Sequence, residues 1–323
     1  MSGRDGLAAP FVRTVLGDIA PAELGATDAH EHLIIDGGRM VESSPDFLLA
    51  DVDKAVEEVS DAARSGLGAV IDAMPCDLGR SGRKLAEISR RTGVHVVAAT
   101  GLHLASWYPA EHWGNIGAVE VLTERFRTEI ADGLRDGNGP APHRAGVIKV
   151  AGSVARLSDR DRRAFQAAAA AHRLTGCPIL THCTDGTAAP EQVALLIDAG
   201  VAPGTVTLSH TDKVVDRGYH RDLLSTGVNV EYDQAFRWPT DGDNGTLTLL
   251  DWMLEDGYGA QLMVGLDAAR QGYWRAYGGR PGLAFLLGDL ALMMDGRGIV
   301  ADARRRIFVD NPARAFAFRA QEA

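Results

Sequence analysis

The chain has 323 residues, 46% of them hydrophobic, a formal charge of −10 and three cysteines, Cys76, Cys177 and Cys183. That length suits one large α/β domain or two modest ones and buries a core without disulfides. The acidic balance argues against a nucleic-acid surface while leaving room for a locally positive pocket; the odd, sparse cysteine set is no disulfide framework and fits a reducing cytoplasm, and no apolar run suits a membrane span.

The opening stretch MSGRDGLAAPFVRTVLGDI lacks the apolar run and small-residue cleavage site of a secretory signal. Residues 1–24 are expected to form an extension in which TVLGDI makes a small hairpin or edge strand. Eight short apolar runs then follow in order, at 25–35, 67–75, 94–102, 145–153, 177–185, 205–212, 228–234 and 261–268. Helix-length amphipathic segments separate most of them, at 51–66, 83–93, 119–134, 158–176, 190–200, 219–227, 247–257 and 282–298, with a last one at 301–316. Ser158 reads as an N-cap and Gly176 as a helix stop. Strand and helix alternating eight times, with no change of composition, predict an α/β fold: a closed (β/α)8 TIM barrel over 25–316 with a short N-terminal β-hairpin extension, one domain across 1–323. A doubly wound open sheet is the alternative, but no Gly-x-Gly-x-x-Gly follows an early strand. Three long loops, 103–118, 234–246 and 269–282, leave strand C-terminal ends, where barrel sites are assembled.

Chemistry concentrates at those ends. His30 and His32 alternate on the first strand, so both imidazoles share a face. His182 closes the fifth strand, His210 the sixth and Asp267 the eighth. Ionisable groups inside a barrel are costly unless paired or metal-bound, and four histidines with a carboxylate form a metal constellation. Lys149 sits mid-strand in GVIKVAG. A bare ammonium there needs an acid partner or loses its charge. Three readings stand: a carbamate formed with carbon dioxide, a salt bridge to a core acid such as Asp72, or a Schiff-base lysine. No serine, histidine and acid arrangement competes, and Cys183 reads as packing.

The motifs TVLGDIAPAELGATDAHEHL, IKV around Lys149, THCTDG, LSHTD, GLDAAR, YGGRPGLAFLL and NPARAF together resemble the phosphotriesterase-like family of the amidohydrolase superfamily, which includes phosphotriesterase-related proteins and phosphotriesterase-like lactonases. The resemblance runs from about Thr14 to Phe316. It implies a metal-dependent hydrolase with two divalent ions, usually zinc, with cobalt, manganese or iron as alternatives. His30, His32 and Asp267 would hold the more buried ion, and His182 and His210 the more exposed one. N6-carboxylysine at Lys149 and a hydroxide would bridge the pair. Lys149 and Asp267 are the expected catalytic residues, and a homodimer is common in the family.

The loops set the substrate. His103 and Trp107 follow the third strand, where related lactonases carry a tyrosine. Gly79 and Arg80 match a Gly-Arg-Asp motif in which Ser81 replaces the aspartate. YDQAFR lacks the histidine of organophosphate-degrading members, which lowers the case for a dedicated phosphotriesterase. Lys213, Arg237 and Arg270 ring the expected mouth and suit an anionic substrate. Lys213 is either a substrate contact or a solvated helix-start residue; Arg270 is either a contact or a structural ion pair. Asp212 either bonds a group on the catalytic face or caps the next helix. Trp238, Tyr273 and Trp274 would wall an apolar pocket. The expectation is a lactonase for an acyl-homoserine or sugar lactone. The alternatives are a hydrolase of amides, carboxylic esters or phosphoesters, and a non-catalytic binding protein. Nucleic acid and membrane are not expected partners.

Overall fold

The computed structural model describes residues 9–136, 141–239 and 243–319. Residues 1–8 of the expected extension, 240–242 of the loop after the seventh strand and the last four residues lie outside the described residues.

A hairpin of β1 (Val12–Thr14) and β2 (Gly17–Ile19) opens the chain, as the TVLGDI reading expects. Eight parallel strands follow: β3 (Ala26–Glu31), β4 (Leu67–Asp72), β5 (His95–Leu102), β6 (Val147–Gly152), β7 (Ile179–Cys183), β8 (Val206–Ser209), β9 (Asn229–Tyr232) and β10 (Leu262–Val264). Each pairs with the next in sequence. The ring closes where the Leu266 and Asp267 N–H groups donate to the His30 carbonyl at 3.3 and 2.8 Å. The eight-stranded TIM barrel is therefore observed, with all eight strands where the apolar runs place them.

Period-two alternation sorts each strand into two layers. On β6, Val147 faces inward with Ala29, Ala69, Val97, Ala99, Leu180 and Met263, while Ile148 and Val150 pack outward under the helices. The inward set is small and apolar at the N-terminal end, where Val12, Leu24 and Phe316 plug the barrel. Lys149, one inward position beyond Val147, and His182, one beyond Leu180, therefore rise into the C-terminal half. Arg13 seals the plug, its guanidinium against the stacked pair of Phe11 and Phe318 rings and 2.7 Å from Asp18.

Helix Asp159–Thr175 begins with a capping box between Ser158 and Asp161 and ends on left-handed Gly176, as expected. Two segments depart from the expectation. The 282–298 helix is broken into a 3-10 turn, Leu283–Phe285, and a helix, Asp289–Gly296, at Gly288, whose φ/ψ of −95/−98 is not helical. The last segment divides around a π-turn, Arg306–Asp310, placed just before Pro312, which lacks the N–H a regular helix requires. The first strand is also shorter than read. The chain leaves the barrel after Glu31, and Ile35 bridges Leu49 instead.

Candidate metal centre

The six sequence-selected residues converge inside the C-terminal mouth. His30 Nε2 lies 3.1 Å from Lys149 Nζ and 3.9 Å from Asp267 Oδ1. His32 Nε2 lies 3.3 Å from the same oxygen. His210 Nε2 lies 2.8 Å from His182 Nδ1. His30, His32 and Asp267 thus present one group of ligand atoms within 4.8 Å of one another, and His30, His210 and Asp233 present another. His210 and Asp267 both adopt left-handed backbone, at φ of 64° and 50°. Such conformations cost on the order of 1–3 kcal/mol in a non-glycine residue and gather at functional sites.

The electrostatics suit cations. Burial, reinforced by neighbouring positive groups, pushes the His30, His103 and His182 imidazoles well below their ordinary range, which keeps them neutral with lone pairs free. Burial also pushes the Lys149 amine down to about 8. Among the described residues, no carboxylate lies within 4.0 Å of its ammonium. Asp72, the alternative partner, spends its oxygens on the Leu33 and Met74 N–H groups. For Asp267, burial raises the carboxyl, but His32, His30, His210 and Arg237 outweigh it and hold it well below the usual range. Imidazole nitrogens gathered in one place, a weakly basic lysine and an ionised aspartate suit divalent ions.

Above the six lies a cavity of about 440 Å³, lined by His103, Trp107, Lys213, Arg237, Arg270 and Tyr273 among others. That size admits a small ligand. His103 packs 4.7 Å from the His182 ring, and its Nδ1 accepts from the Leu104 N–H, which leaves its ring N–H at Nε2. Lys213 is exposed, and no ion pair holds it among the described residues. Arg270 pairs with Asp46 at 3.7 Å and lies over the Phe47 ring at 3.9 Å. Arg237 is committed elsewhere: its guanidinium donates to the carbonyls of Asp233, Leu266 and Asp267 at 2.6, 2.9 and 2.5 Å. The three cations therefore do not converge as equals; Lys213 and Arg270 offer charge to the cavity, while Arg237 braces its wall.

Two aromatic residues are placed differently from the sequence reading. Trp274 is fully buried, its indole N–H donating to the Ala268 carbonyl at 2.8 Å, and does not line the cavity. Trp238 donates to Thr246 and is likewise outside the lining. Asp212 is not the cap of the next helix, which Asp216 provides; it bonds Gln234, a residue of the cavity wall. It is buried and accepts from the Gln234 N–H and the Thr246 hydroxyl.

Sequence reading missed a set of buried acids beneath the centre. Glu231 Oε2 and Ser209 Oγ lie 3.1 and 3.0 Å from His30 Nδ1, and Asp233 Oδ2 lies 2.6 Å from His210 Nδ1. Burial, with Asp233 and Asp212 nearby, pushes the Glu231 carboxyl well up. Burial also raises Asp233, but His210 outweighs it and lowers that carboxyl. NVEYDQ carried the signal: two carboxylates alternating in an apolar strand are as anomalous as a lysine in GVIKVAG.

Known proteins resemble the chain along nearly its whole length. The chain is 32% identical over 324 residues to a phospho-furanose lactonase of Mycoplasmopsis synoviae, covering 95% of this chain and 92% of that protein. The crystal structure of an amidohydrolase from Mycoplasma synoviae superposes with a TM-score of 0.91 at 31% identity, covering 98% and 94% of the two chains. That of a lactonase from Listeria monocytogenes gives 0.89 at 28%, covering 96% and 99%. The phosphotriesterase family model matches residues 10–316, and with that agreement of sequence and fold the chain belongs to the phosphotriesterase family.

Proposed function

We propose that the chain opens a phosphorylated five-membered sugar lactone at a two-metal centre. The observation that carries this reading is the convergence of four imidazoles, Lys149 and Asp267 on the floor of a cavity whose mouth holds Lys213 and Arg270. The similarity to a phospho-furanose lactonase supports the choice of substrate.

Zinc, or alternatively cobalt, manganese or iron, bound by these six side chains would acidify a water and polarise a carbonyl oxygen. Lys149 serves as its carbamate. The neutral Nζ adds to the carbon of carbon dioxide and loses a proton, so two carboxylate oxygens replace a buried amine that has no carboxylate partner among the described residues. Burial makes this accessible by lowering the amine to about 8. Asp267 accepts the proton of the attacking water and returns it to the ring oxygen as that C–O bond breaks, leaving a hydroxy acid. Arg237 holds the Asp267 backbone so that its carboxylate keeps its aim. His103, with its N–H at Nε2, offers a donor to a substrate oxygen. Lys213 and Arg270 bind the phosphate. The three unpaired cysteines support a cytoplasmic site of action.

The test is a substrate panel for the zinc-loaded protein: furanose lactones with and without a phosphate, acyl-homoserine lactones, N-acyl amino acids and phosphotriesters. Fastest ring opening is expected with a phosphorylated lactone. Clear turnover of amides or phosphoesters with no lactone opened would overturn the reading.

A further inference from the structure

We propose that Glu231 and Asp233 are positioning residues for the metal centre: Glu231 holds His30 and Asp233 holds His210, each at Nδ1, so that both Nε2 lone pairs stay aimed inward. The two acids stand two residues apart at the end of β9 and so share its inner face. Tyr232 between them faces outward and bonds His220. Both acids are completely buried.

The inward atoms of the histidines are fixed by what they meet. His30 Nε2 lies 3.1 Å from Lys149 Nζ, and His210 Nε2 lies 2.8 Å from His182 Nδ1. A neutral imidazole that ligates through Nε2 carries its proton on Nδ1 and needs an acceptor there. His30 Nδ1 finds Ser209 Oγ at 3.0 Å and Glu231 Oε2 at 3.1 Å. His210 Nδ1 finds Asp233 Oδ2 at 2.6 Å, an ion-pair distance without the alignment of a hydrogen bond. The same Asp233 oxygen accepts the His210 backbone N–H at 3.1 Å, gripping the residue in its left-handed conformation from both sides.

Among the described residues, no lysine or arginine pairs directly with either acid, although the Lys149 charge acts on Glu231 and the Arg237 charge on Asp233 from farther away. Neither acid has such a cation within 4.0 Å of its carboxylate; their ion-pair partners are histidines. Arg237 touches the Asp233 carbonyl, not the carboxylate. Buried carboxylates without a cationic partner are costly. A positively charged centre held by His30 and His210 would offset that cost. Gly265 keeps the space open: a Cβ there would meet the His30 backbone nitrogen at 2.6 Å and Glu231 Oε1 at 2.7 Å. β9 therefore donates none of the six inner side chains yet supports one histidine from each half of the centre.

This rests on the metal-centre reading, and the experiment separates the two. Metal-free wild type, Glu231→Gln, Asp233→Asn and Ser209→Ala are titrated with zinc against a chromophoric chelator. Their cobalt-loaded absorption spectra and metal-free thermal midpoints are also recorded. Glu231→Gln and Asp233→Asn are each expected to weaken one of two zinc equivalents by about 10–100-fold and to shift the cobalt spectrum, with the metal-free midpoint close to wild type. Ser209→Ala is expected to weaken the same equivalent as Glu231→Gln, and decides the matter for His30 should Glu231→Gln not fold. Wild-type affinities and spectra in the variants overturn the proposal, as does a loss matched by an equal fall in metal-free stability. A wild type that binds no metal defeats the metal-centre reading instead.

Discussion

His210 Nε2 and His182 Nδ1 face each other across 2.8 Å, each ring at the end of its own strand. Two imidazoles meeting nitrogen to nitrogen in a buried site share either a proton or a cation. His182→Ala and His210→Ala are therefore each expected to lose one of two bound metals and to keep the one at His30, His32 and Asp267. Metal analysis after gel filtration checks this; two retained equivalents would contradict it.

The Lys149 amine must be neutral to take up carbon dioxide, and burial places its titration at about 8. Below that value the protonated form dominates. At constant carbon dioxide pressure, the rate of reconstitution of the metal-free protein should rise about tenfold per pH unit up to about 8 and then level. Lys149→Ala should not show the rise, and should bind metal weakly. A flat profile in the wild type argues against the carbamate.

Arg237 satisfies three carbonyls around Asp267 at once. Arg237→Lys cannot reach all three from a single ammonium. It is expected to lower kcat by roughly 10–100-fold, since an active-site misplacement of about 1 Å carries that penalty. Two bound metals should remain. An unchanged kcat would place the brace outside catalysis.

Lys213 and Arg270 line the same cavity and are not tied to the metal ligands. Lys213→Ala and Arg270→Ala should each raise KM for a phosphorylated lactone by roughly 10-fold or more, the scale of a charge-assisted hydrogen bond. Hydrolysis of the unphosphorylated lactone should be nearly unaffected. Equal losses on both substrates would point to a structural role.

Away from the centre, Arg80 and Glu129 form a buried bidentate pair at 2.8 and 2.9 Å. Burial raises the Glu129 carboxyl, but Arg80 outweighs it and brings it down to about 2. A carboxyl lowered on folding stabilises the protein above its unfolded value near 4.5, and that contribution disappears as pH falls from there toward 2. Glu129→Gln removes one charge of a buried pair and should cost about 3–5 kcal/mol at neutral pH. Urea denaturation at pH 7 and pH 3 checks both signs; the gap between wild type and variant should narrow at the lower pH.

The barrel was legible because buried parallel strands read as short apolar runs, and the six inner residues stood out because charge is rare there. Loop residues were less legible. Trp274 reads as a pocket wall, yet it lies between two 3-10 turns and its indole N–H reaches back to Ala268, which draws the ring into the core. Ser81, read as a missing aspartate, caps helix Gly82–Thr92, and Asp136, 55 positions away, supplies the carboxylate that accepts from the Gly82 and Arg83 N–H groups at the helix start. No local motif reveals a partner so distant in sequence. Glu231 and Asp233 were less legible because two acids alternating at a strand end also fit a solvated face, and only the fold shows that both are buried.

The most direct measurement is a crystal structure of the zinc-loaded protein with anomalous data at the zinc edge. The account predicts two peaks. One is bounded by His30, His32 and Asp267, the other by His182 and His210, with density for a carboxylated Lys149 between them. A single peak, or an unmodified Lys149 beside two peaks, would contradict it.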